Sequence, residues 1–157
     1  MKPAAWHALI IAFFAAVPVH AAPGDDAAPA GAAPADPVLE KVMAANAQKD
    51  WKRSETILRD ALAKDPRNAD YHNLYAYAIR KGDKPNLDIV FKHYNEALRI
   101  DPKHKGAHEY VGEAYLMVGN VAKAKEHLAA LDRICFFGCD EYSLLKKAVA
   151  EFEAKGK

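Results

Sequence analysis

Two cysteines, Cys135 and Cys139, flank Phe136-Phe137-Gly138 and are the only thiols in the chain. Residues at i and i+4 share a face of a continuous helix, but a disulfide needs Cβ atoms about 3.5–4.5 Å apart, which helical backbone holds poorly. Phe136-Phe137-Gly138 breaks the helix, and a looped C-x3-C can close. Three chemistries are open to the pair: a structural disulfide, a reversible dithiol, or a copper or zinc site, since soft thiolates suit Cu(I). The spacing differs from the C-x-x-C of thioredoxin-type dithiols.

The remaining chemistry-bearing residues do not converge on a reaction. His72, His93, His104, His108 and His127 are spread over the chain. His104 and His108 are four apart but straddle a turn, so no metal ligand set is assigned. The string from His108-Glu109 to Glu113 lacks the second histidine of the metalloprotease motif H-E-x-x-H. There is no nucleophile elbow, phosphate loop or Gly-rich dinucleotide fingerprint, and the carboxylates are scattered. The chain reads as a non-enzyme with no cofactor.

Which chemistry the cysteines adopt depends on compartment. Lys2, the apolar run from Ala8 to Val17, and Val19-His20-Ala21 make up a signal peptide over residues 1–21, cut before Ala22. The run is short of the roughly 20 residues a spanning helix needs, so no membrane insertion is expected after its removal. No cysteine follows it, which argues against a lipid anchor. Export to the periplasm or beyond implies an oxidising environment, and there a structural Cys135–Cys139 disulfide is the favoured reading.

Residues 22–35, APGDDAAPAGAAPA, hold nothing large and apolar and read as a flexible linker. The whole chain has 22 basic and 21 acidic residues, and loss of Lys2 with residues 1–21 leaves the two signs equal. That balance argues against nucleic acid as a partner, because such binders need a basic excess.

From Asp36 onward the apolar spacing is helical. Asp36-Pro37 is a helix start, and Val38, Val42 and Ala45 fall on one face. A second helix runs from Trp51 to Lys64 and ends at Asp65-Pro66, since the residue before proline is driven out of the helical region. A third spans Ala69–Lys81, and a fourth runs from near Pro85 or Asn86 to Ile100, ended by Asp101-Pro102. The fifth covers Lys105–Val118, with Gly119-Asn120 as a left-handed stop, the sixth Val121 to about Ile134, and the last Glu141–Ala154. Features recur at a separation of 36: Ala61, Asp65, Pro66 and His72 match Ala97, Asp101, Pro102 and His108. The register sends His72 and His108 to packing.

A fixed period of this length marks a helical solenoid, and its grammar resembles the tetratricopeptide (TPR) repeat. Repeats begin near residues 35, 69 and 105 and end near 68, 104 and 138, followed by a cap helix at 141–154, so the TPR domain is 36–154. Eighth positions are then Val42, Ala76 and Gly112, twentieth Ser54, Val90 and Ala124, and twenty-seventh Ala61, Ala97 and Leu131. The small eighth residue should let the two helices of a pair approach closely. The resemblance implies an all-α, TPR-type helical solenoid of three helix pairs plus a C-terminal capping helix. The tail LAALDRICFFGCDEYSLLKKAVAEF also resembles small exported bacterial TPR proteins.

The same resemblance implies a concave groove lined by the first helix of each repeat. It assigns Leu39, Met43 and Asn46 to repeat one, Asp70, Asn73, Tyr77, Arg80 and Lys81 to repeat two, and Glu109, Glu113, Leu116 and Met117 to repeat three, with Tyr110 beside them. Tyr, Met and Arg are enriched at protein interfaces. The expected role is an adaptor or scaffold binding a protein or peptide. The rival readings are metal handling at Cys135 and Cys139, and a homo-oligomer joined through the degenerate first repeat.

Overall fold

The computed structural model describes residues 36–156; the signal peptide and linker assigned to residues 1–35 lie outside the described residues. The elements are α1 (Pro37–Ala47), α2 (Trp51–Leu62), α3 (Ala69–Lys81), α4 (Leu87–Ile100), α5 (Lys105–Met117), α6 (Val121–Ile134) and α7 (Asp140–Lys155). Six of the seven starts carry a side-chain cap. Asp36, Asp50, Asn68, Asn86, His104 and Asn120 each accept a backbone N–H from the first turn, satisfying donors that have no partner within the helix. Helix α7 lacks such a cap at Cys139 and has Asp140 and Glu141 in its first turn instead, where acidic charge favours the helix dipole.

Boundaries differ from the sequence reading by a residue or two. Helix α2 stops at Leu62 rather than Lys64, because the N–H groups of Lys64 and Asp65 both turn back to the Ala61 carbonyl. Gly119 takes φ +76° after α5, and Gly138 takes φ +85° inside the cysteine loop.

Burial shows why no helix pair stands alone. One core cluster joins Val42, Leu58, Ala61 and Tyr71 from α1, α2 and α3. A second joins Ala76, Val90, Tyr94, Val111 and Ala114 from α3, α4 and α5. The third joins Leu116, Ala124, Leu131, Cys135, Leu145 and Val149, from α5 and α6 through the cysteine loop to α7. Each pair is closed by the helix that follows it, as stacked repeats require. Polar bridges follow the same stacking. The Tyr71 hydroxyl donates to Asp36 at 2.7 Å, and His104, which caps α5 through Nδ1, donates from Nε2 to Asp70 at 3.0 Å.

The repeat position of Gly112 has a second neighbour besides its partner helix. A Cβ placed at Gly112 would meet Leu145 Cδ2 at 2.6 Å and Cδ1 at 2.7 Å. The missing side chain at that eighth position therefore also admits the closing helix α7, which the repeat pattern did not anticipate.

Candidate binding face

The predicted groove residues fall into an accessible set and a supporting set. Tyr77 on α3 and Tyr110 on α5 are half-buried, with ring centroids 4.6 Å apart. Trp51, at the first position of α2, meets Tyr77 edge-on at 5.8 Å, so three aromatic rings run continuously across the stack. Aromatic contacts of this spacing add about 0.5–1.5 kcal/mol each beyond their area. Met117 is 52% exposed at the end of α5.

Arg80 is the centre of the face. Its residue is only 8% exposed, yet the guanidinium is fully engaged. It donates to Glu113 Oε2 at 2.7 Å and to the Tyr94 hydroxyl at 3.2 Å, and its carbon lies 5.6 and 5.8 Å from the Tyr77 and Tyr110 ring centres. Cations over such rings gain about 0.5–2 kcal/mol. Lys81 Nζ stands 6.0 Å from the Tyr77 ring on the solvent side.

Asn73 and Glu109, assigned to the groove by register, are 4% and 6% exposed. The Asn73 Oδ1 has no hydrogen-bond partner, and its Nδ2 would lie 3.2 Å from a Cβ built at Gly106. Asn73 packs against α5 at Gly106, and both residues are buried rather than open to the groove. Burial, then the charges of Glu113 and Glu141, push the Glu109 carboxyl up to about 7, with Arg80 opposing. The face therefore carries less negative charge at neutral pH than its acid count implies.

A cleft of about 320 Å³ continues from Arg80 toward the closing helix, lined by Glu113, Leu116, Met117, Ala148, Glu151, Phe152 and Lys155. Leu116, Met117, Ala148 and Phe152 supply apolar wall, and Glu113, Glu151 and Lys155 bring charge to it. An apolar surface with a few placed polar groups is the usual chemistry of a recognition pocket. Leu39 is half-buried, while Met43 is 66% exposed on α1.

Trp51 and the α7 side of this face were not assigned from the sequence. The repeat register reserves the groove for first helices, whereas Trp51 begins a second helix and Phe152 belongs to the cap. The one local signal is an aromatic residue placed directly after the Lys49-Asp50 turn.

Cys135 and Cys139 form a disulfide. Both sulfurs are thereby consumed, so the thiolate copper or zinc reading has no ligands in this state. The loop they close holds Phe136 and Phe137 outward, 86% and 97% exposed.

The histidine packing expected from the repeat is present, with partners the register did not supply. His72 and His108 are buried. His72 Nδ1 lies 2.8 Å from His93 Nδ1, and His108 Nδ1 lies 3.0 Å from His127 Nδ1. The other nitrogen of each buried ring bonds a turn carbonyl, Pro66 at 3.0 Å and Pro102 at 3.1 Å.

No protein-family model and no curated protein matches the chain. Among solved structures it is similar to PcrH in complex with the chaperone-binding region of PopD, with TM-score 0.62 and 14% identity, over 74% of this chain and 86% of that one. At that identity the likeness speaks for the fold. The described residues form an all-α, TPR-type helical solenoid of three helix pairs and a closing helix.

Proposed function

We propose that this protein is an exported adaptor that holds an extended segment of a partner protein along the face formed by α3, α5 and α7. The observation that carries this reading is the Trp51–Tyr77–Tyr110 run, which ends at the cleft of about 320 Å³ beside Arg80. Rigid aromatics offer large contact area with little rotamer entropy to lose. Arg80 is already neutralised by Glu113, so the face selects for apolar and aromatic side chains rather than for a carboxylate. PcrH, of similar fold, is seen with a bound region of another protein, which supports a protein partner. Protein binding here needs neither a cofactor nor nucleic acid.

The periplasmic setting rests on the signal-peptide pattern of residues 1–21 and is supported by the disulfide, a bond favoured outside the reducing cytosol. Two experiments test the proposal. Cell fractionation should place the processed chain in the periplasm. A photo-crosslinker at position 117 should capture a discrete partner there, and labelling no stronger than from a crosslinker at exposed Lys92, on α4, would count against the face.

A further inference from the structure

The two histidine pairs repeat one geometry in successive helix hairpins, His72 on α3 with His93 on α4, and His108 on α5 with His127 on α6. A backbone carbonyl can only accept, so His72 Nε2 and His108 Nε2 carry the protons they donate to Pro66 and Pro102. Their Nδ1 atoms are then unprotonated lone pairs. In the neutral pair the single proton between the two Nδ1 atoms belongs to the other ring, His93 or His127.

An imidazole fixed through one N–H to a backbone carbonyl, leaving its second nitrogen as a lone pair, is how metal-ligating histidines are oriented, and here two such ring nitrogens converge. We propose that each pair is a two-histidine site for a borderline divalent cation such as Cu(II) or Zn(II), giving two sites per chain of similar geometry that clamp α3 to α4 and α5 to α6. Imidazole suits these ions. Metal–nitrogen bonds of about 2.0–2.1 Å at a tetrahedral angle set the nitrogens about 3.3 Å apart. The present separations of 2.8 and 3.0 Å therefore need only a slight parting of the rings.

The proton balance is simple. His93 and His127 shift their proton from Nδ1 to their own Nε2, both Nδ1 lone pairs bind the ion, and no proton is released. Among the described residues no group of three or more His, Cys, Asp or Glu side chains could hold a metal ion, so water completes the coordination. For the second pair, a cleft of about 430 Å³ lined by Pro102, His108, Ala130 and Arg133 opens to it. A cation lies near each pair, Lys92 at the first and Arg133 at the second, and both oppose binding of the ion.

The test is calorimetric titration of the oxidised, tag-free chain with Cu²⁺, and separately with Zn²⁺, in a non-coordinating buffer near neutral pH. Wild type should take up two equivalents, His93→Phe and His127→Phe one each, and the double variant none. The ion should raise the melting temperature of wild type, because it spans helices that part on unfolding, and leave the double variant unmoved. Phenylalanine keeps a ring in the packing, and far-UV circular dichroism verifies the fold of each variant. Absence of binding to folded wild type would overturn the proposal, as would uptake that persists in the double variant.

Discussion

Arg80 on α3 and Glu113 on α5 close a 2.7 Å ion pair across two repeats, with the arginine side chain almost buried and the glutamate side chain about one-third exposed. Removing one partner of a buried pair strands the other charge, at a cost of about 3–5 kcal/mol when burial is complete. Because water reaches Glu113, Glu113→Ala should cost about 2 kcal/mol in urea unfolding. Arg80→Met combined with Glu113→Leu should cost less than Glu113→Ala alone. A double variant as unstable as the sum of its parts would show that the pair is not the source of the loss.

Stability should fall as the solution is acidified through the histidine range. Burial, and then the facing ring, lower His93 and His127 to about 4 from an ordinary 6.5, and burial also lowers His108. A basic group with a depressed folded pKa refuses a proton that the unfolded chain accepts. The penalty is therefore absent above pH 6.5, grows as pH falls, and is complete near pH 4. Lys92 and Glu96 beside His93, and Lys123 and Glu126 beside His127, modulate it. After discounting for partial exposure, each pair should contribute on the order of 1 kcal/mol. Melting curves between pH 7 and 4 check this, since the slope should be shallower in the His93→Phe/His127→Phe variant.

Gly112 should accept a side chain only at a cost while Leu145 is in place. Overpacking costs about 1–3 kcal/mol, partly offset by about 1 kcal/mol of helix propensity gained over glycine. Gly112→Ala should therefore destabilise modestly in wild type and less, or not at all, in a Leu145→Ala background. Denaturant unfolding of the four chains gives the coupling energy, and a value near zero would contradict the contact with α7.

Reduction of Cys135–Cys139 should loosen the closing helix without unfolding the stack. Closing so short a loop stabilises by about 2 kcal/mol in the chain-entropy picture. Cys135→Ala/Cys139→Ala should lose about that much while keeping its helical circular dichroism. Hydrogen exchange should rise first in α7, where no side chain caps the start. Uniform loss of protection across α1–α7 would show that the loop supports more than the cap.

The fold was legible because it is written locally. Asp36 and Asn86 sit at helix starts, Pro66 and Pro102 follow helix ends, and Ala97 and Ala124 recur where helices touch; Asn120, read as a stop, also caps α6. Side-chain pairing across helices was not legible. His72 and His93 are 21 residues apart and His108 and His127 are 19, spacings set by hairpin geometry rather than by any one element. Burial of Asn73 and Glu109 escaped for a related reason. Register places a residue on a helix face, but how deeply that face lies depends on the neighbouring repeat and on the cap, whose Phe152 also lines the cleft.

Tyr77 and Tyr110 are the rings proposed to present the contact surface. The most direct measurement is affinity capture from periplasmic extract with wild type and with Tyr77→Ala/Tyr110→Ala, each confirmed folded and each quantified against its recovered partner. The partner held by wild type should be lost from the double variant by tenfold or more, consistent with about 1.4 kcal/mol or more of lost binding. Equal recovery of that partner by the folded double variant would contradict it.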